Sequence, residues 1–344
     1  MSERDLKPFI VPIFIPHHGC PHRCIFCEQE RITSRSAGAV SAQDVRKTLD
    51  TAVASRGFDP ERNPEIAFYG GTFTRLPFDK MTELLNATEP YIRQGLFKTI
   101  RVSTRPDALA DRRLDTLKYY HVETVELGVQ SMDDKVLSLT NRGHGSSDTI
   151  NAFEKLKDAG FRVGMQLMPG LPGDSAEGFF ETVEKVVALK PDMVRIYPAL
   201  VIKGTEMAEW YENGRYKPLE LKEAVDLCSK ACMRIEAEGI PVIRIGLMSS
   251  PSLLEKGQIL GGPWHCAFGF LVRSEIFRVR MAGSLPGPGK ASEIMIYANK
   301  RDIPLIRGYK NEGMKWIEMK SGARVSDVRE GSAISRGTIR VECL

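Results

Sequence analysis

Short apolar segments alternate with helical stripes up to about residue 247, and this alternation constrains the fold more than any other feature. Between the segments, apolar side chains recur at helical spacing, as at Val45, Leu49 and Val53 in a stripe that opens at Ser41 with Asp44 three residues later. Alternation of this kind predicts parallel strands joined by right-handed helical crossovers. The predicted strands, mostly continuous in apolar residues as strands buried on both faces should be, are residues 9–15, 65–69, 100–104, 124–129, 162–167, 193–197 and 242–247.

Six or seven strand–helix units predict an α/β fold, a barrel or partial barrel with its chemistry at the C-terminal ends of the strands. After about residue 250 the alternation stops, and short strand and turn patterns surround a Pro- and Gly-rich loop at residues 284–289. We therefore predict two domains, a barrel core over residues 1–250 and a small α+β domain over residues 251–344.

The charge of the chain is small but uneven. The net charge is +4, while residues 271–344 carry 14 Lys and Arg against 8 Asp and Glu. A mildly basic C-terminal segment fits a polyanionic partner such as RNA, and it fits an ordinary solvated surface equally well. The first apolar run is interrupted by Pro12 and is too short to span a membrane, and no signal-peptide pattern surrounds it. We therefore expect a cytoplasmic protein without a membrane partner.

Three of the seven cysteines, Cys20, Cys24 and Cys27, stand within eight residues directly after the first predicted strand. A disulfide framework would spread its cysteines in pairs, so this crowding indicates a metal or cluster site in a reducing compartment. Three thiolates can hold three irons of a 4Fe–4S cluster and leave the fourth iron open to the amino and carboxylate groups of S-adenosylmethionine (SAM). A zinc site is the alternative, because a histidine at 17, 18 or 22 could supply a fourth ligand.

Further motifs follow the later strands, and together with the cysteine motif they resemble those of a known protein family. The cysteine motif, with Phe26 before its third cysteine, resembles that of the radical SAM superfamily. Over about residues 8–216 the order of the motifs resembles the catalytic subunit of the Elongator complex, and oxygen-independent coproporphyrinogen oxidases show a looser version of the same series. The motifs are Phe68-Tyr-Gly-Gly-Thr-Phe73, Ser103-Thr-Arg-Pro-Asp107, Glu126-Leu-Gly-Val-Gln-Ser131, Asn141-Arg-Gly-His144, Met168-Pro-Gly-Leu-Pro172 and the segment 196–205.

The resemblance implies a partial (β/α)6 TIM-like radical SAM barrel with a 4Fe–4S cluster and SAM as its cofactors. Gly70, Gly71 and Thr72 stand where the superfamily has a Gly-Gly-Glu motif, and bare backbone there would let the SAM amino group approach. The other residues that the resemblance implies for the SAM site are Gln130, Arg142 and Gln166 as lining, Phe14 and Phe26 as apolar packing, and Ser103 at the position where relatives often carry a glutamate for the ribose.

Three further cysteines each have a structural and a functional interpretation. Cys228 and Cys232 lie four apart on a predicted helix, where they are either core residues or a second metal site. Cys266 lies in a Gly-bounded loop with Trp264 and His265, and this loop has either a packing role or supplies a hydrogen donor to the substrate.

The resemblance predicts an enzyme that reductively cleaves SAM to a 5′-deoxyadenosyl radical. It implies a one-electron donor such as flavodoxin or ferredoxin, and transfer RNA as the substrate. The roughly 95 residues after the core show no Gly-rich acyl-CoA loop, so we do not expect the acetyltransferase domain of the Elongator subunit. One alternative is a porphyrin-like or other small-molecule substrate. Another is a non-catalytic iron–sulfur or zinc protein that binds RNA.

Overall fold

A curled seven-stranded parallel sheet dominates the computed structural model, which describes residues 9–21, 23–34 and 40–344. Its strands follow the order β1-β2-β3-β4-β5-β6-β8, and the remaining strands form two small sheets, β7-β9 and β11-β10-β12. The predicted α/β partial barrel is confirmed, with all seven predicted strands present. The strands are β1 (Ile10–Ile15), β2 (Glu65–Gly70), β3 (Thr99–Thr104), β4 (Val122–Gln130), β5 (Arg162–Leu167), β6 (Met193–Ile196), β7 (Val201–Ile202), β8 (Val242–Ile245), β9 (Ile259–Gly261), β10 (Glu293–Ala298), β11 (Arg324–Glu330) and β12 (Ile339–Cys343).

The connecting helices cover the outer face of the large sheet, and their apolar stripes form the main core with it. Ser41 and Asp44 make the predicted capping box at the start of α2. None of the described helices is long and apolar enough to cross a membrane. The helices are α1 (Gln29–Thr33), α2 (Ala42–Val53), α3 (Phe78–Asn86), α4 (Glu89–Arg93), α5 (Asp111–Tyr119), α6 (Asp134–Leu139), α7 (Ser146–Asp158), α8 (Ala176–Leu189), α9 (Glu206–Glu212), α10 (Leu221–Ala237), α11 (Pro251–Leu254), α12 (Phe268–Met281), α13 (Ile303–Arg307) and α14 (Glu312–Ser321).

The two faces of the large sheet differ in chemistry. Outward side chains such as Val125 and Leu127 of β4 are fully buried under the helices. The alternate side chains point inward, and several are charged, including Glu126 of β4 and Arg195 of β6. Because successive residues of a strand face opposite sides, one charged residue within an apolar run marks the side that faces the barrel interior.

The C-terminal segment has a hydrophobic cluster of its own. In the three-stranded sheet, β10 pairs parallel with β11 and antiparallel with β12, and Ile294 and Ile296 pack there with Ile306 and Ile317. Helix α12 takes part in both cores, because its first half packs with the barrel and its last residues pack with the small sheet. The division of the chain at residue 250 stays a prediction, since α12 lies beyond it and packs closely against α10.

Candidate active site

A cavity of about 960 Å³ occupies the interior of the partial barrel. Of the thirteen residues predicted for the site, twelve line this cavity. Cys266 differs, because it is exposed and is not among the described residues around the cavity, so its role as a hydrogen donor stays a prediction. The twelve are Cys20, Cys24, Cys27, Phe14, Phe26, Gly70, Gly71, Thr72, Ser103, Gln130, Arg142 and Gln166.

The loop that carries the cysteines packs backbone against backbone on the Gly-Gly-Thr turn after β2. The Gly71 N–H donates to the Ile15 carbonyl at 3.0 Å, and the Thr72 N–H donates to the His18 carbonyl at 2.8 Å. A Cβ atom on Gly71 would lie 2.0 Å from the His18 carbonyl oxygen, which no side chain tolerates. Close approach of two loops therefore requires this glycine, in addition to the access for a cofactor that the sequence predicted.

Contacts with distant segments hold the other half of the cysteine loop. The Ile25 N–H donates to the Thr140 carbonyl at 3.3 Å, and its own carbonyl accepts from the Met207 N–H at 2.9 Å. The Asn141 side-chain amide donates to the Arg23 carbonyl at 3.0 Å. The positions of the three thiols thus depend on segments more than a hundred residues away in sequence.

The three thiols lie in an arrangement that favours a bound cation. Cys20 Sγ lies 3.3 Å from Thr72 Oγ1, and Arg142 Nη1 donates to Cys24 Sγ at 3.1 Å. Burial, together with the neighbouring Cys24 and Cys20, raises the pKa of Cys27 to about 12. Thiols in this situation lose their protons together only when positive charge is bound beside them, as the irons of a cluster provide.

A mononuclear zinc site fits the cysteine loop less well. The described residues contain no group of three or more His, Cys, Asp or Glu side chains that could hold a single metal ion. Zinc needs its donors at about 2.0–2.3 Å from one ion, whereas each cysteine of a cubane binds a different iron. His17 Nε2 already accepts the Gln29 backbone N–H at 3.0 Å, and His22 lies outside the described residues. The donor set therefore favours a cluster.

His144 supports the arginine that contacts Cys24, a role that the sequence had not suggested. Its Nε2 lies 3.2 Å from Arg142 Nη2, and its Nδ1 lies 3.3 Å from the Gly145 carbonyl. Burial and the Arg142 charge lower the pKa of His144 to about 4, so the neutral ring accepts at Nε2 and donates at Nδ1. The signal in the sequence was its place at the end of the Asn-Arg-Gly-His motif.

The lowered pKa of His144 predicts a pH-dependent stability. The unfolded chain binds a proton at this residue near pH 6.5 and the folded chain near pH 4, so acid favours unfolding between these values. From pH 7 to pH 5 we expect His144 to cost about 2 kcal/mol of unfolding free energy. Urea unfolding of the wild type and of His144→Gln at both pH values measures this cost. Equal losses in the two proteins would contradict the prediction.

Gln130 is aimed into the cavity by an irregular strand end. It has a left-handed backbone with φ 69°, at a register shift between β4 and β5. Gln166 Nε2 donates to Gln130 Oε1 at 3.3 Å, which joins the two predicted amides. A Cβ atom on Gly128 would lie 3.0 Å from Gln130 Nε2, so the glycine leaves room for this side chain. The strained backbone marks Gln130 as a functional candidate.

A buried layer of charged side chains crosses the barrel below these residues, and the sequence analysis missed it. Arg101 pairs with Glu65 and, at 2.7 Å, with Glu126. Arg195 Nη2 donates to Glu126 at 2.9 Å and also contacts the Tyr69 hydroxyl. Burial and Glu126 raise the pKa of Tyr69, which keeps its hydroxyl protonated. The sequence carried one signal of this layer, since charged residues of both signs occur within neighbouring strands that are otherwise apolar.

The cavity wall carries a marked excess of positive charge. Among the described residues that line it, the acids are Glu65, Glu123 and Glu126, three in all. Such an excess attracts anionic ligands and raises their local concentration. The nine basic residues are Arg23, Arg62, Lys98, Arg101, Arg105, Arg142, Arg162, Arg195 and Arg244.

Comparison with family models agrees with the motifs. The model of the radical SAM superfamily matches residues 14–186, just over half of the chain, and that of the radical SAM C-terminal domain matches residues 191–278. The chain is 34% identical over 235 residues to an uncharacterized protein of Methanocaldococcus jannaschii, a match that covers 64% of this chain and 70% of that protein.

Two named relatives also match part of the chain. A tRNA uridine(34) acetyltransferase of Methanocaldococcus infernus is 41% identical over 133 residues, which are 38% of this chain and 25% of that protein. Elongator complex protein 3 of Saccharomyces cerevisiae is 30% identical over 263 residues, covering 64% of this chain and 47% of that protein. The chain thus spans between a quarter and a half of these two relatives.

A solved structure supports the fold. The Elp3 protein of Methanocaldococcus infernus, determined without its first 46 residues, superposes with a TM-score of 0.60 at 24% identity. The match covers 79% of this chain and 63% of that one.

Proposed function

Because this chain belongs to the radical SAM superfamily and is an enzyme related to Elongator complex protein 3, we propose that it cleaves SAM reductively at a 4Fe–4S cluster. Cys20, Cys24 and Cys27 would hold the cluster. The observation that carries the proposal is that these three thiols and the Gly-Gly-Thr turn face one cavity. When bound and reduced, the cluster supplies the electron that splits the SAM sulfonium and releases a 5′-deoxyadenosyl radical.

The residues of the chain would bind and orient around that chemistry. The Arg142 guanidinium, held by His144, stabilises negative charge at Cys24. Gln130 and Gln166 offer amide groups to the cofactor, and Gly70 and Gly71 offer bare backbone. Phe14 and Phe26 contribute apolar walls, which limit the access of water to a reactive species.

For the substrate we propose transfer RNA. Two observations support this class: a relative is named a tRNA uridine(34) acetyltransferase, and the cavity wall has nine basic side chains against three acidic ones among its described residues. Basic side chains supply the electrostatic part of RNA binding. A one-electron donor such as flavodoxin or ferredoxin would reduce the cluster, and the cytoplasm, where thiols stay reduced, would be the compartment.

The formation of 5′-deoxyadenosine tests this function. Protein reconstituted anaerobically with iron and sulfide is mixed with SAM and dithionite, and the product is measured by chromatography with and without total transfer RNA. We expect product only in reconstituted samples, and a rate that rises when RNA is added. Absence of product from protein with a verified 4Fe–4S cluster would remove the enzymatic proposal, and no response to RNA would remove the substrate.

A further inference from the structure

Two arginines face the cavity side by side on the last two strands of the sheet. Arg195 of β6 is in register with Arg244 of β8, the edge strand. Side chains that are opposite each other on neighbouring strands lie on the same face, and both of these line the cavity. Two neighbouring guanidinium groups repel each other unless anionic groups neutralise both.

A β-bulge produces this juxtaposition. Val194 pairs with Val242, but the next residue, Arg195, pairs with Arg244, so Ile243 is skipped. Val194 and Val242 both lie in the core on the outer face of the sheet. Without the extra residue, Ile243 would stand opposite Arg195 and Arg244 would turn outward, because a shift of one residue reverses the face. The bulge therefore directs a cation into the cavity.

The two arginines differ in their partners. Arg195 is neutralised by Glu126 and donates to the Tyr197 hydroxyl at 3.0 Å. Arg244 is half-buried and donates through Nε to the Gly246 carbonyl at 3.2 Å. In the parts of the chain that the structure describes, no carboxylate forms an ion pair with Arg244. The buried acids of the cavity wall, Glu65 and Glu126, already pair with other arginines.

Arg244 lies on an edge strand of the sheet, next to a partly exposed part of the cavity wall. Strands β1 and β8 are the two edges of the sheet. Leu247 and Met248, which follow β8, also line the cavity, and Met248 is 50% exposed. Arg244 and the cysteine loop thus line the same cavity.

We propose that Arg244 binds an anionic oxygen group of the substrate, a phosphate or a carboxylate, on the cavity side of the edge strand β8. The inference rests on the proposed function, because it assigns a substrate contact within the same site. A guanidinium offers paired N–H donors that match such groups, and its free donors are the terminal nitrogens. The neighbouring apolar rim would leave this contact poorly screened by water.

Equilibrium binding to cluster-loaded protein, without reductant, tests the proposal. The probes are fluorescein-labelled total transfer RNA, which presents phosphates, and coproporphyrin, which presents carboxylates. We compare wild type, Arg244→Gln, Arg244→Lys and Arg234→Gln, the last removing an equal charge from the exposed side of α10, away from the cavity wall. For one probe, Arg244→Gln should weaken binding at least about tenfold, Arg244→Lys less, and Arg234→Gln little.

The pattern of losses identifies the source of the anion. A loss of affinity for RNA indicates a phosphate contact if the slope of log affinity against log salt concentration also falls by about one unit. A loss of affinity for coproporphyrin alone indicates a carboxylate contact. Unchanged affinity of Arg244→Gln for both probes, equal losses in Arg244→Gln and Arg234→Gln, or no binding of either probe by wild type overturns the proposal. If the wild type binds a probe but forms no 5′-deoxyadenosine, the proposed function is contradicted and the proposed role of Arg244 is not.

Discussion

Replacing Cys24 by alanine is expected to abolish both cluster binding and SAM cleavage. Two cysteines remain, which leaves one more iron without a protein ligand, and the Arg142 guanidinium loses its sulfur partner. We expect iron content to fall from about four per chain to near background, and 5′-deoxyadenosine formation to fall by a factor on the order of a thousand or more, since without the cluster no bound redox centre passes electrons from dithionite to SAM. Iron analysis, visible absorption and product chromatography after anaerobic reconstitution measure these losses.

Cys232 provides the matched control for that substitution. It is also buried, but on α10 within the main core, where burial raises its pKa to about 12 and keeps it a neutral thiol. Cys232→Ala should therefore lose some stability and keep its iron and its activity. A Cys24→Ala protein that retained a full cluster, or a Cys232→Ala protein that lost it, would show that the cysteine assignment is wrong.

Replacing Arg101 by methionine is expected to be the most destabilising change in the barrel interior. Arg101 is 2% exposed and neutralises two buried carboxylates, Glu65 and Glu126. Methionine fills similar space but leaves both acids without this partner, and removal of one member of a buried ion pair costs about 3–5 kcal/mol. Urea unfolding followed by circular dichroism should show this loss in the unfolding free energy.

Replacing Arg234 by methionine is the matched comparison at the protein surface. Arg234 also pairs with two glutamates, Glu184 and Glu238, but on the exposed side of α10. Water and salt screen such pairs, so Arg234→Met should unfold close to the wild type. In a second comparison, adding Glu65→Gln to Arg101→Met should restore part of the stability, because it removes the acid that lost its arginine, while Glu126 keeps its pair with Arg195. A small effect of Arg101→Met alone would mean that water already solvates the charged layer.

The strands of the large sheet were predictable from the sequence because most of them are nearly continuous apolar runs. The strand ends were less predictable, since β4 extends from Val122 to Gln130, beyond the predicted residues 124–129. The short pair β7-β9 was not predicted. Two-residue strands have no periodicity of their own and form only where a partner is already in place. The cysteine loop was predictable for another reason, since its three thiols are close in sequence and follow the first strand directly.

The sequence by itself therefore determined the parallel α/β fold, the cysteine loop and the family, because these depend on local patterns. Only the tertiary structure decided which side chains meet. The layer of Arg101, Glu126 and Arg195 joins three strands, and the contact of Arg142 with Cys24 spans 118 residues. The direction of Arg244 depends on a bulge against β6. Strand register and loop packing set such contacts through hydrogen bonds between distant segments, which no local pattern records.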